Sequence, residues 1–275
     1  MRNGPARKVA RVMNWSDSGL PPGAGPGVVV TATSRAGLLH DLERRMQAGT
    51  GYAVATLNLD HVVKLHRQPD FRRAYLGHSH VTADGNPIVW LSRLAGQQVA
   101  LIPGSDLIEP VAALAARLNI PVALVGSQDA TLARAGAALQ ARHPGLRVVA
   151  RIAPPMGFDP EGPEADACIA TLRDAGARLC FLAFGAPKQE RFAVRAWSEM
   201  PEAGFLSIGA GLDFIVGDQK RAPAVIRALA LEWAWRLVHS PRRLGGRYAS
   251  CIALLPRLTA RALQSRLAGR KEAGL

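Results

Sequence analysis

IPVALVGSQDATLARAGAALQARHPGLRVVARI, residues 120–152, contains one complete unit of the pattern that decides the fold. An unbroken apolar run (120–125) leads into Gly126-Ser127-Gln128-Asp129, then a helix-spaced segment (130–142), then a second apolar run (146–152). Strands that are apolar throughout are buried on both faces, and a single helix between neighbours makes them parallel. The unit recurs downstream: helix 164–175, strand 178–184, the turn at Gly185, helix 191–200, strand 204–208, then Gly209-Ala-Gly211-Leu-Asp213. The expected fold is α/β, a Rossmann-like core whose mainly parallel sheet is covered by helices on both faces. Such sheets bind ligands beyond the carboxyl ends of their strands. The loops starting at Gly126, Ala153, Gly185 and Gly209 should therefore converge on one crevice.

Upstream, residues 28–31 read as a short β-branched strand and residues 36–47 as a helix stopped by Gly49 and Gly51. The segment 53–90, AVATLNLDHVVKLHRQPDFRRAYLGHSHVTADGNPIVW, starts as an apolar strand ending in Thr56-Leu-Asn58. It continues through a basic, helix-like stretch to Ala83-Asp84-Gly85 and a helical run over 87–94. A carboxylate delivered by a tight turn beside polar strand-end groups has the makings of an active site. Asp-Gly is also common turn and cap chemistry, and the residues of this segment alone favour that plainer use of Asp84. A further turn at 103–106 predicts a helix over 107–118, capped by Ser105 or Asp106. The loop at Thr56–Asn58 is positioned to join the crevice.

Composition narrows the partners. The 275 residues are 48% hydrophobic with a mean hydropathy of +0.06, and the net charge is +13. That charge implies an anionic partner: nucleic acid, acidic lipid or phosphate-bearing substrates. Cys168, Cys180 and Cys251 fit neither a disulfide framework nor a zinc site, which points to a reducing cytoplasm. No secretory signal and no membrane-spanning run is expected. Residues 1–27 close on GLPPGAGPG and read as a flexible leader, 28–217 as the core, and 218–275 as a basic helical C-terminal appendage. Residues 240–275 carry eight Lys/Arg against Glu272, over half of the excess charge. Leucines interleave with these arginines at helical spacing, as in a helix lying on anionic lipid, where each basic residue adds about 1 kcal/mol.

Gly126-Ser127 and residues 185–188 are strand-to-helix turns of the kind whose N–H groups receive phosphate, a common geometry in α/β domains. Gly209-x-Gly211 lacks the third glycine of a dinucleotide fingerprint. His78-x-His80 and His61…His66 lack metal-protease spacing, there is no D-x-D pair, and neither a nucleophile elbow nor a Walker loop occurs. No metal site and no cofactor are expected. Charge on a bound diphosphate would fall to helix N-termini and to Arg or Lys.

The assembled motifs resemble the bacterial WecG/TagA/CpsF glycosyltransferases over about residues 28–248. They are Thr56-Leu-Asn58, Ala83-Asp84-Gly85, Gly104-Ser-Asp106, Val125-Gly126, Phe184-Gly-Ala-Pro-Lys-Gln-Glu190, GAGLDFIVG (209–217), Arg221-Ala-Pro223, Glu232-Trp-Ala-Trp-Arg236-Leu, Pro241-Arg-Arg243 and Arg247-Tyr248. The resemblance implies metal-independent, inverting transfer from a UDP-sugar to a polyprenyl-diphosphate-linked sugar acceptor on the inner face of the cytoplasmic membrane, in surface-polysaccharide synthesis. By the matching motifs Asp84 is the base. Thr56, Asn58, Gly126, Gln189 and Asp213 belong to the substrate site, and Arg236, Arg243 and Arg247 to a C-terminal segment that closes over it. A homo-oligomer is compatible with this reading. The arginine that the family usually has three residues before Gly104 is Leu101 here, so another basic residue must take its contact or donor binding differs.

Two rivals remain at this level. A nucleotide-sugar oxidoreductase or epimerase is opposed by the missing glycine fingerprint. A basic protein binding RNA or DNA without catalysis is opposed by the absence of a nucleic-acid motif and by charge concentrated in a leucine-bearing tail.

Overall fold

The structure, a computed structural model, describes residues 13–16, 27–219, 223, 226, 232–239 and 241–272. Its sheet has six strands: β1 (Tyr52–Leu57), β2 (His80–Ala83), β3 (Pro121–Gly126), β4 (Arg147–Ile152), β5 (Leu179–Ala183) and β6 (Gly204–Ser207). They run in the order β2-β1-β6-β5-β3-β4, and every pairing is parallel. The expected α/β architecture is therefore present.

Period-two alternation within the strands divides the core into layers. Val122, Leu124, Leu179 and Phe181 face α1 (Arg35–Ala48), α5 (Gly104–Arg117) and α6 (Asp129–Arg142). Ala123, Val125, Cys180 and Leu182 face α7 (Pro163–Asp174) and α8 (Lys188–Glu199). Each fully buried Leu or Phe contributes about 1.5–3 kcal/mol. A third cluster gathers Ala55, Leu57 and Val81 with α2 (Leu59–Arg67), α3 (Pro69–Leu76) and α4 (Asn86–Leu94). The short α9 (Gly211–Val216) packs on α5 and α6.

Connections leaving β3 and β5 diverge. β3 leads through α6 on one face to β4, whereas β5 leads through α8 on the other face to β6. A crevice opens where neighbouring crossovers part in this way.

Some local expectations move. Residues 28–31 form no strand; they lie extended along the edge of β2, where the N–H groups of Thr31 and Ala32 both donate to Val81 O. The strand at that edge is instead β2. Helix α5 starts at Gly104 behind Pro103 with no side-chain cap, so Ser105 and Asp106 lie inside its first turn. Helix α8 starts at Lys188, which places Gln189 and Glu190 in its first turn.

At the C-terminal end, α10 (Glu232–His239) is followed by α11 (Pro241–Glu272). Helix α11 packs on α2 and α4 through the buried Leu258 and Ala262. Most of residues 1–27 lies outside the described residues, but Met13 and Trp15 are buried in the same cluster.

Candidate active site

A cavity of about 760 Å³ occupies the crevice beyond β3, β4 and β5. The loops after these strands contribute Gly126, Pro154 and Phe184, so three of the expected loops converge, while the segment opened by Gly209 reaches the cavity only through Asp213 of α9. Gly126 has φ +103°, and a Cβ there would lie 2.7 Å from the Ala183 backbone; only glycine fits. Ser127 is left-handed as well, at φ +57°. Its N–H donates to Ala183 O at 3.2 Å and its hydroxyl to Asp213 Oδ1 at 3.1 Å. A strained non-glycine residue held from two sides at a ligand crevice is a recurrent feature of functional sites. Asp213 Oδ2 also accepts from Gln219 Nε2 at 2.9 Å. Behind Ser127, Gln128 is the N-cap residue of α6 and makes no side-chain cap, leaving the helix N-terminus open to an anion.

The second half of the site lies across the sheet, and its residues do not line that cavity. β1 and β2 pair Thr56 with Thr82 and Leu57 with Ala83, and the Asp84 N–H donates to Leu57 O at 2.7 Å. Asp84 is thereby fixed beside the end of β1. Gly85, at φ +120°, is the N-cap residue of α4, and a Cβ on it would stand 4.0 Å from Asn58 Cβ. Asn58 caps α2, its Oδ1 accepting from the His61 N–H at 3.0 Å. Gly104 presses on the Ser207 carbonyl and Thr56 Cγ2, so α5 closes the floor under β1 and β6. Neighbouring strands lie about 4.8 Å apart, which puts β2 and β3 roughly 19 Å apart along the carboxyl edge.

Between the halves sits a buried polar cluster. Gln189 is buried; its Nε2 donates to Glu190 Oε1 at 2.8 Å and its Oε1 accepts from the Gly209 N–H at 3.1 Å. Glu190 is fully buried, and burial pushes its carboxyl up to about 7. Its Oε1 lies 4.0 Å from His61 Nδ1. His61 is held neutral, pushed down to about 3 by burial, and shares a 2.7 Å hydrogen bond with Tyr75. The Tyr75 hydroxyl donates to Thr56 O at 3.1 Å. Burial raises that phenol first, and the carboxylates of Glu190, Asp84 and Asp60 raise it further.

Cations enter from α2 and α11. Asp60, one residue into α2, accepts from Lys64 Nζ at 2.7 Å and forms an ion pair with Arg247 at 3.0 Å. Lys64 also donates to Ala186 O at 3.3 Å, tying α2 to the β5–α8 loop. Arg247 is thus brought to the site, while the side chains of Arg236 and Arg243 lie outside the described residues. Leu101 is 40% exposed and bridges Ala83 beside Asp84. Sequence reasoning missed Lys64, Asp60 and Glu190. Lys64 and Asp60 form an (i, i+4) pair legible in a helix, whereas Glu190 beside Gln189 gave no signal of burial.

A Ser–His–Asp line also exists, with Ser79 Oγ 2.9 Å from His80 Nδ1 and His80 Nε2 2.9 Å from Asp41. It stands at the opposite, amino end of β2. Its hydroxyl donates to Ala53 O and accepts from Ala53 N, so it braces strands and has no free proton for chemistry.

Among the described residues, no group of three or more His, Cys, Asp or Glu is arranged to hold a metal ion. No helix there is long and apolar enough to cross a membrane. The carboxyl edge thus presents a cavity beyond β3, β4 and β5 and, in its other half, Asp84 with Lys64 and Arg247 paired to Asp60. The sequence itself carries the assignment further, because residues 26–272 match the model of the glycosyl transferase WecG/TagA/CpsF family. The chain belongs to the WecG/TagA/CpsF family of glycosyltransferases, which pass a sugar from a nucleotide-sugar donor to an acceptor.

Proposed function

We propose that this glycosyltransferase is inverting and metal-independent, and that it moves a sugar from a UDP-sugar to a polyprenyl-diphosphate-linked acceptor sugar. One observation carries the reading: Asp84 and the cavity occupy opposite halves of one carboxyl edge, and Lys64 links the halves through Asp60, which also pairs with Arg247, and the Ala186 carbonyl of the β5–α8 loop. The nucleotide lies in the cavity, its diphosphate towards the α6 N-terminus and the cations, and its sugar towards Asn58 and Asp84. The acceptor hydroxyl oxygen attacks the anomeric carbon from the Asp84 side. The bond from that carbon to the β-phosphate oxygen breaks, UDP leaves with the electron pair, and Asp84 takes the hydroxyl proton. A positioned base contributes typically 10²–10⁴-fold. Negative charge growing on UDP is met by Lys64, Arg247 and the helix terminus.

Helix α11 supports a peripheral position on the cytoplasmic face of the membrane. Its buried Leu258 and Ala262 face α2 and α4, while Ile252, Leu263 and Leu267 are exposed. At about 100° per residue those three fall within about 60° of arc, on the side away from Leu258. Arg257 and Arg266 are exposed to either side of that stripe. Residues 218–275 then act as the membrane-associating appendage to a core over 28–217.

The test is a panel of UDP-sugars with a short-chain lipid-diphosphate acceptor, comparing wild type with Asp84→Asn. Transfer from one donor should fall by about 100-fold or more in the variant, with UDP affinity unchanged. Full activity in the variant would remove Asp84 as the base.

A further inference from the structure

The first turn of α8 contains a buried carboxyl that the transfer chemistry above does not use. Glu190 is fully buried, and among the described residues its Oε2 meets no hydrogen-bond partner. A buried polar oxygen left without a partner is destabilising, so its presence calls for a compensating role. Its other oxygen shows what that role is.

Glu190 Oε1 accepts from Gln189 Nε2, and Gln189 Oε1 accepts from the Gly209 N–H. A carboxamide has two N–H donors on one end and two lone pairs on the other. The acidic oxygen on one side and the backbone N–H on the other permit only one orientation of that amide. The chain Glu190–Gln189–Gly209 therefore joins the first turn of α8 to the turn after β6. Gly209 opens the segment that carries Asp213, and Asp213 in turn holds Ser127 at the cavity. One buried carboxyl is thus linked through hydrogen bonds and a short loop to the cavity wall.

We propose that Glu190 is a positioning residue for the transfer reaction: its carboxyl fixes the Gln189 carboxamide and, through it, the Gly209 turn that leads into α9 and Asp213 at the wall of the donor cavity. This rests on the donor placement proposed above. Glu190 touches no reacting atom. Ionisable groups face it from two helices, His61, Asp60 and Lys64 of α2 and Tyr75 of α3. The neutral His61 gives it no counter-charge. Ionised Glu190 adds a negative charge to the buried cluster beside the proposed donor site, and so donor binding weakens as it loses its proton.

The experiment uses the full chain with Glu190→Gln and Glu190→Ala, UDP as calorimetric probe at pH 6 and pH 8, and steady-state transfer from the donor that the panel identifies. Glu190→Gln keeps an oxygen for Gln189 and should hold donor KM within about twofold of wild type, whereas Glu190→Ala should raise it about tenfold with a smaller change in kcat. Wild type should lose more UDP affinity between pH 6 and pH 8 than Glu190→Gln, the same ligand titration cancelling in the comparison. A folded Glu190→Ala protein with wild-type KM overturns the proposal. If that variant does not melt cooperatively, the pH comparison decides, and equal losses in wild type and Glu190→Gln overturn it. Failure of wild type to bind UDP at either pH overturns the donor placement and this inference with it; binding that the variants leave unaltered overturns this inference alone.

Discussion

At Glu190 the surroundings set stability as well as position. Burial raises its carboxyl from 4.5 to about 7. The folded chain keeps this proton where the unfolded chain releases it, so stability falls as pH rises from about 4.5 to about 7 and the loss is complete above that. At about 1.4 kcal/mol per pH unit, this is on the order of 3 kcal/mol. Thermal melts at pH 5 and pH 8 should show wild type losing stability relative to Glu190→Gln; parallel losses would mean that Glu190 ionises freely. None of this was legible from the sequence, because Gln189-Glu190 reads as the end of the turn before a helix over 191–200, with nothing to mark the carboxyl as buried. Asp84 stood differently: its motif was visible, but only the hydrogen bond from its N–H to Leu57 O sets it against the end of β1. Gly126 was legible as a phosphate-type turn, while its steric necessity depends on the approach of Ala183.

Among elements, the four strand-and-helix units from β3 to β6 were readable from their alternation of apolar runs and helical spacing, although only β3, β5 and β6 are buried on both faces, β4 being a half-exposed edge strand. β2 was not. Its four residues, His-Val-Thr-Ala, offer little period-two signal, and Thr82 is buried only because its hydroxyl donates to Ile102 O at 2.8 Å. Residues 28–31, Val-Val-Val-Thr, are β-branched throughout against two of four in β2, yet they only lean on its edge. Local propensity yielded to the pairing partner that tertiary structure supplied. Helix α11 has a sharper test. Leu258 is fully buried against α2 and α4, and a charge there has no partner in the apolar cluster. Leu258→Asp should release α11 and carry Arg247 away from Asp60. Hydrogen exchange would report lost protection over 241–272 with the sheet amides unaffected; retained protection would mean that other contacts dock this helix.

For the whole molecule, the +13 charge and the exposed Leu263 and Leu267 predict association with anionic vesicles. Exposed charges are screened beyond about 10 Å at 0.1 M salt, so added salt should weaken association while leaving the apolar part. Replacing Leu263 and Leu267 together by Ser should reduce partitioning at least about tenfold, given roughly 1.5–3 kcal/mol for each fully buried side chain. Flotation with vesicles across a salt series measures both effects. Unchanged partitioning of the double variant would leave charge alone as the attraction.

The sheet order has a consequence for synthesis. Among the described residues β6 is the last strand made, yet it lies in the middle, between β1 and β5. Until Gly204–Ser207 leaves the ribosome, the chain holds two incomplete sheets, β2-β1 and β5-β3-β4, each with an open parallel edge. Open edges invite pairing with other chains. The nascent protein is therefore most prone to aggregation late in translation, and the strand that ends this hazard is also the one that brings Asp84 and the cavity into a single sheet.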